Sequence, residues 1–305
     1  TCPYPNPEIR EAMQKGIDLC REVQPDLLLA TDPDADRVGV ACADGDDYTL
    51  ITGNEMGVLL LDYICRMRAE RGEDLSNKVA VTTIVSSAMV DALAEDYGFE
   101  LRRCLTGFKY IGDIITSLAD AGEVDRFIFG FEESYGYLSG DHVRDKDAVN
   151  ASLLICQMAQ DYRLKGKNLV EAMRDLYEKY GYYKDTVKSI GLKGIEGLAK
   201  IQEIMENFRK NPPKALGGYE VTSVRDYKKN TITDVATGEV KETGLPESNV
   251  LYYDMNDGAW LCIRPSGTEP KIKFYYGVKG TSLDDAEAKS KAVGDELMGM
   301  VDKMM

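Results

Sequence analysis

Between residues 26 and 132, short apolar runs alternate with segments of helical period, and this alternation constrains the fold more than any other feature. "DLLLAT", "KVAVTTI", "FELRRCLT" and "RFIFGFE" read as buried strands, and "RVGVACA" as a further strand after "DLLLAT". "GNEMGVLLLDYICRMRAERG", "SAMVDALAEDYG" and "GFKYIGDIITSLADAG" read as helices, the second closed by Gly98. Strands and helices in alternation predict a mixed α/β fold class: a largely parallel sheet sandwiched by helices on both faces. Ahead of it, Asn6 followed by Pro7 predicts a helix start, with Asn as cap, continued by Ile9, Met13, Ile17 and Cys20 up to Pro25.

The pattern changes after residue 147. Two successive helices are predicted in "DAVNASLLICQMAQDYRLKG" and "NLVEAMRDLYEKYG", and Gly181 with "YYKD" reads as a hinge into another unit. That unit reads as a strand, a helix over 195–210, four strands and a helix over 282–304. This is an α+β layer, with helices packed on an antiparallel sheet. "KKNTITDVATGEVKETGLPESN" is polar and turn-rich, and is expected to be a surface excursion.

Bulk properties exclude several roles. A net charge of −15 argues against general binding to nucleic acid or a membrane surface. The seven cysteines are dispersed without a C-x-x-C pair, which argues against a zinc site and for reduced thiols in a cytoplasmic protein. No run is long enough for a membrane span. The first residue is Thr1, so the chain is expected to be a piece of a longer protein.

Four segments can carry chemistry. In "LLLATDPDADRVGV", Asp32, Asp34 and Asp36 stand at alternate positions past a strand, where an extended loop would turn them the same way. They either share a hard cation such as magnesium or form a solvated Asp-Pro turn. An EF-hand is excluded, because Arg37 and Ala43 stand where it needs Gly and Glu. In "FGFEESYGYLSGDHVRDKDAV", Glu132, Glu133 and Ser134 offer acceptors for sugar hydroxyls, Gly130, Gly136 and Gly140 permit tight turns, and Arg144 and Lys146 add positive charge. His142, the chain's sole histidine, is here either functional or an exposed bystander. In "CIRPSGTEPKIKFYY", Arg264, Ser266, Gly267 and Thr268 can present a guanidinium, two hydroxyls and backbone N–H groups to a phosphate, with Lys271 and Lys273 nearby; a plain hairpin is the alternative. In "LTGFKYIG", Thr106 can cap a helix whose first turn carries Lys109.

"TDPDADR", "TGFK", "FEESYG" with "DHVRDKD", and "RPSGTEPK", in this order, closely resemble the α-D-phosphohexomutases, in particular the bacterial phosphoglucomutase/phosphomannomutase branch. The resemblance implies a C-terminal fragment: residues 1–46 as the tail of domain 2 with the metal loop, 47–181 as the sugar-binding α/β domain 3, and 182–305 as the phosphate-binding α+β (TBP-like) domain 4. It implies magnesium on Asp32, Asp34 and Asp36, with Arg37 as an active-site arginine. Glu132 and Ser134 would contact sugar hydroxyls, and Arg264, Ser266, Gly267 and Thr268 would grip the non-reacting phosphate. Thr106, Gly107 and Lys109 would form a substrate loop, with His142, Arg144 and Lys146 on its basic partner segment; His142 or Lys146 would move the hydroxyl proton. The implied reaction is a phosphotransferase-type isomerisation of glucose 1-phosphate and glucose 6-phosphate through a phosphoserine and glucose 1,6-bisphosphate, in the cytoplasm. No segment resembles the Thr-Ala-Ser-His-Asn-Pro motif of the family's nucleophile, so this chain alone is expected to be inactive. Two other readings compete. The apolar strand before Asp34 and Asp36 also resembles the haloacid dehalogenases, with Asp34 as nucleophile. A non-enzymatic module binding a sugar phosphate or a divalent cation is the other.

Overall fold

The computed structural model describes residues 2, 4–267 and 270–305. The chain divides into two compact units, 1–180 and 181–305.

The first unit opens with helix α1 (Arg10–Val23). Met13, Ile17 and Cys20 form its buried stripe, packed with Ala41 and Tyr48. The expected start at Asn6 is corrected: the Asn6 carboxamide instead accepts the Glu8 N–H (3.0 Å) in a local turn, and Ile9 takes the N-cap position. Strands β1 (Leu27–Thr31), β2 (Val38–Asp44) and β3 (Asp47–Ile51) form an antiparallel sheet of their own, in that order. "DLLLAT" and "RVGVACA" are therefore strands, but not members of the parallel sheet. The chain returns directly through the aspartate loop, too short a connection for a parallel crossover.

Helix α2 (Gly53–Glu70) begins with a reciprocal cap. The Glu55 N–H donates to the Thr52 hydroxyl (3.2 Å), and the Thr52 N–H donates to the Glu55 carboxylate (2.8 Å). Next come β4 (Val79–Thr83), α3 (Met89–Tyr97), β5 (Glu100–Cys104), α4 (Phe108–Asp120), β6 (Phe127–Glu132) and β7 (Gly136–Leu138). The sheet order is β5-β4-β6-β7, with β4 parallel to β5 and β6, and β7 antiparallel at the edge. Gly98 closes α3 in the left-handed conformation (φ 79°).

Neighbouring residues of β6 show how both faces are covered. A Cβ on Gly130 would stand 2.8 Å from Ile111 of α4, whereas Phe131 lies against Gly57 of α2, where a Cβ would meet its ring at 2.2 Å. Successive strand residues point to opposite faces, so α4 and α2 lie on opposite sides of the sheet. Helices α5 (Ala148–Leu164) and α6 (Leu169–Tyr180) complete the unit.

The second unit runs β8 (Tyr182–Gly191), α7 (Gly194–Lys210), β9 (Ala215–Leu216), β10 (Tyr219–Asp226), β11 (Thr231–Asp234), β12 (Val240–Lys241), β13 (Leu251–Met255), β14 (Trp260–Pro265), β15 (Lys271–Gly280) and α8 (Leu283–Asp302). The sheet order is β12-β11-β10-β13-β14-β15-β8, every pair antiparallel, with β9 on β10. One core joins Ile204 and Phe208 of α7, Val293 and Leu297 of α8, and Leu261, Ile263, Phe274 and Tyr276 of the sheet. The expected surface excursion over 228–249 is corrected in part, because β11 and β12 lie within it and extend the sheet edge. No helix among the described residues is long and apolar enough to cross a membrane.

Candidate functional site

The loop from Asp32 to Arg37 is a tight turn, not the extended segment expected. The Ala35 N–H donates to the Asp32 carbonyl (3.0 Å), the Asp32 N–H donates to the Arg37 carbonyl (3.3 Å), and Ala35 sits at φ 55°. Asp32 folds beneath the turn, where its Oδ1 accepts the N–H groups of Asp36 (3.1 Å) and Arg37 (2.9 Å). It is 6% exposed, whereas Asp34 is exposed and Asp36 half-buried. Carboxylate oxygens of all three lie within 4.8 Å of one another. The turn brings them together, where side-chain alternation was the expected cause.

Such proximity is repulsive unless compensated, and two cations are at hand. Lys146 Nζ lies 2.5 Å from Asp36 Oδ2. The Arg37 guanidinium lies 3.6 Å from both Asp32 Oδ2 and Glu8 Oε1, beyond hydrogen-bond reach. Asp36 Oδ1 and Arg37 Nε are buried without a hydrogen-bond partner. A buried carboxylate oxygen with no donor, beside two further carboxylates, is a donor set for a hard cation, and these residues fit magnesium.

The turn is seated on the edge of the parallel sheet. Arg37 bridges Gly136, the Val38 N–H donates to the Tyr135 carbonyl (3.2 Å), and the Ala148 N–H donates to the Ala35 carbonyl (3.1 Å). The Lys146 stem crosses Gly136, where a Cβ would stand 2.3 Å from Lys146 Cδ. Gly136 thus serves close approach, as Gly130 does under Ile111. Of the three glycines expected to permit tight turns, Gly140 alone takes a positive φ (85°). Burial alone would lower the Lys146 pKa, but its hydrogen bond to Asp36 and the charge beside it outweigh that and raise it. The ammonium is therefore fully charged at neutral pH.

Glu132 ends β6 and is buried, and its Oε1 accepts the Gly107 N–H at 2.6 Å. This corrects the expected role of Thr106: Gly107 is the N-cap residue of α4, with no side-chain cap from its own position, and Glu132 reaches the helix end from the neighbouring strand. Glu133 accepts from the Thr83 hydroxyl (3.3 Å), and Ser134 is half-buried in the β6–β7 turn. Lys109 is exposed, with Nζ 4.7 Å from the Tyr110 ring centroid. Arg144 donates to the carbonyls of Asp141 and Val143 in its own loop. His142 Nε2 lies 2.9 Å from Asp147 Oδ2, so the histidine is exposed but held. Asp147 escaped the sequence reading, although its position three residues before Asn150 is a capping signal: its Oδ1 accepts the Asn150 N–H (2.9 Å) at the start of α5. Burial pushes the Asp147 pKa up, but the Asn150 N–H and His142 bring it below the usual carboxylate range.

The second unit carries the other group. The Ser266 N–H donates to the Lys271 carbonyl (2.7 Å), closing the β14–β15 turn, and Gly267 is exposed. Arg264 and Lys273 face each other across the strand pair, an arrangement of like charges that costs stability unless an anion is shared. Thr268 lies outside the described residues. The haloacid dehalogenase pattern is not met, since Asp34 sits in a turn after an edge strand of an antiparallel sheet, away from the parallel sheet that pattern requires.

Comparison with known proteins identifies the family. Residues 52–180 match the phosphoglucomutase/phosphomannomutase alpha/beta/alpha domain III, residues 1–45 match domain II, and residues 165–292 match the C-terminal domain. Phosphoglucomutase of Staphylococcus aureus strain bovine RF122 / ET3-1 is 39% identical over 289 residues, covering 94% of this chain and 51% of the relative. The strain MRSA252 protein is 38% identical over the same shares. The chain thus spans about half the length of the curated relatives it matches. Two solved structures share the fold: Paramecium pp63/parafusin in its open form (TM-score 0.60, 16% identity, 95% of this chain and 48% of that one) and a Burkholderia thailandensis phosphoglucomutase/phosphomannomutase family protein (TM-score 0.56, 15% identity, 97% and 51%). The chain belongs to the phosphoglucomutase/phosphomannomutase family, whose domains II, III and IV it matches in order.

Proposed function

We propose that this chain supplies the metal, sugar and phosphate contacts of a phosphoglucomutase interconverting glucose 1-phosphate and glucose 6-phosphate. The observation that carries the reading is the convergence of Asp32, Asp34 and Asp36 around a buried, unpartnered Asp36 oxygen. Magnesium held there would neutralise charge on a phosphoryl group in transit. Arg37 and Lys146 add positive charge at the same place.

Glu132 and Ser134, on the β6–β7 turn, would accept sugar hydroxyls. Thr106, Gly107 and Lys109 would border them at the start of α4, and Arg144 would supply a phosphate contact. Arg264, Ser266, Gly267 and Thr268 would hold the non-reacting phosphate, where the facing Arg264 and Lys273 favour an anion. In each transfer a P–O bond to the carrier breaks, a P–O bond to a sugar hydroxyl forms, and the hydroxyl proton passes to a base. His142, exposed and oriented by Asp147, is suited to take it, and Lys146 is the other proposed group. The intermediate would be glucose 1,6-bisphosphate, and the phosphoryl carrier a serine outside the 305 residues. Residues 1–46 would belong to domain II, 47–181 to domain III and 182–305 to domain IV.

The division of labour is tested by assaying the purified chain with glucose 1-phosphate, magnesium and catalytic glucose 1,6-bisphosphate. No glucose 6-phosphate should form. Sustained turnover by the chain alone would show that it contains its own phosphoryl carrier and would contradict the proposal.

A further inference from the structure

Lys146 is the residue whose placement goes furthest beyond this reading. Its side chain is 13% exposed, and its Nζ lies 2.5 Å from Asp36 Oδ2 and 3.5 Å from Asp145 Oδ1. Its stem is confined over Gly136, and its Nζ lies 6.0 Å from the Phe108 ring centroid. Asp36 is held on the inner side by the loop and its Oδ1 has no partner, whereas Asp145 is 73% exposed and its Oδ1 also accepts the Lys146 backbone N–H (2.8 Å). The same ammonium therefore stands between one carboxylate inside the aspartate cluster and one outside it.

A divalent cation on Asp36 would sit about 2.1 Å from the oxygen it takes. Whether it took the unpartnered Oδ1 or Oδ2, it would lie no more than about 7 Å from Lys146 Nζ. Like charges at that separation, partly shielded from water, repel strongly. We infer that Lys146 is a built-in competitor for the metal site, an ammonium pushed from Asp36 towards Asp145 when a divalent cation enters. This rests on the metal reading of the aspartate cluster proposed above. It assigns Lys146 and Asp145 a role in setting metal affinity, which is separate from any proton transfer. The exchange is reciprocal by thermodynamic linkage: metal on the cluster favours the Lys146–Asp145 pair, and strengthening that pair favours metal.

The test is a titration of the 305-residue chain with manganese(II), followed by calorimetry and by the electron paramagnetic resonance signal of the free ion. Lys146→Met should bind manganese about tenfold more tightly than the parent chain. Lys146→Gln, which keeps a polar end, should move the same way, and unchanged circular dichroism certifies both folds. Asp145→Asn should weaken binding several-fold in the parent chain and leave it nearly unchanged in Lys146→Met, because its effect runs through the ammonium. Equal or weaker binding by both Lys146 variants overturns the inference while leaving the metal site standing. An Asp145→Asn effect undiminished in Lys146→Met also overturns it, reducing Asp145 to general surface charge. No saturable manganese binding by any of these proteins removes the metal reading and the inference together.

Discussion

Asp147 shows how one carboxylate serves two neighbours at once. One oxygen caps α5 through the Asn150 N–H and the other meets His142. Its pKa is lowered in the folded state, so its contribution is present above the ordinary aspartate value of about 3.9 and is lost as pH falls through the folded value. Asp147→Ala should destabilise the protein by about 1 kcal/mol at pH 7, the usual cost of a lost cap. The difference from the parent chain should shrink below about pH 4, read from urea unfolding across a pH series. At this scale the sequence was a good guide to residue types and a poor one to causes. The three aspartates do meet, but through a turn with Ala35 in the left-handed region. Thr106 reads as a cap from spacing alone, yet Glu132, distant in sequence, takes the adjoining N–H. A partner supplied by tertiary contact leaves no local signal.

Elements were legible where burial on both faces forces apolar runs. The β4, β5 and β6 strands, with α2 before them and α3 and α4 between them, follow directly from that rule. The margins of the sheets were not legible: β7 is three residues long and pairs with β6 alone, and β11 and the edge strand β12 carry Thr, Asp, Lys and Glu in and around them that read as turn. The contact between α2 and β6 turns on a single missing methyl group. Gly57→Ala would press its Cβ into the Phe131 ring inside a packed core, and neither side has room to yield. Loss of about 1–3 kcal/mol is expected from overpacking, seen as a lowered urea midpoint for the first unit with the second unit's transition unmoved. An unchanged midpoint would mean that α2 can shift along the sheet without cost.

For the whole molecule, each of the two units has its own core and carries its own candidate residues. The antiparallel layer of the second unit was legible from its strand count and its two flanking helices. The separate sheet of β1, β2 and β3 was not, because its apolar strands resemble those of the parallel sheet and only the brevity of the intervening loop tells them apart. The proposed phosphate clamp rests on the resemblance of the "RPSGTEPK" segment, and the facing of Arg264 and Lys273 favours an anion there. The most direct measurement is therefore calorimetric binding of glucose 1-phosphate to this chain in magnesium, beside mannose 1-phosphate and an Arg264→Ala variant. Saturable binding that favours the glucose ligand and falls at least about tenfold in Arg264→Ala is the predicted result. Binding of glucose 1-phosphate that is indifferent to Arg264, or no binding to the intact chain, would contradict the assignment of sugar-phosphate recognition to these residues.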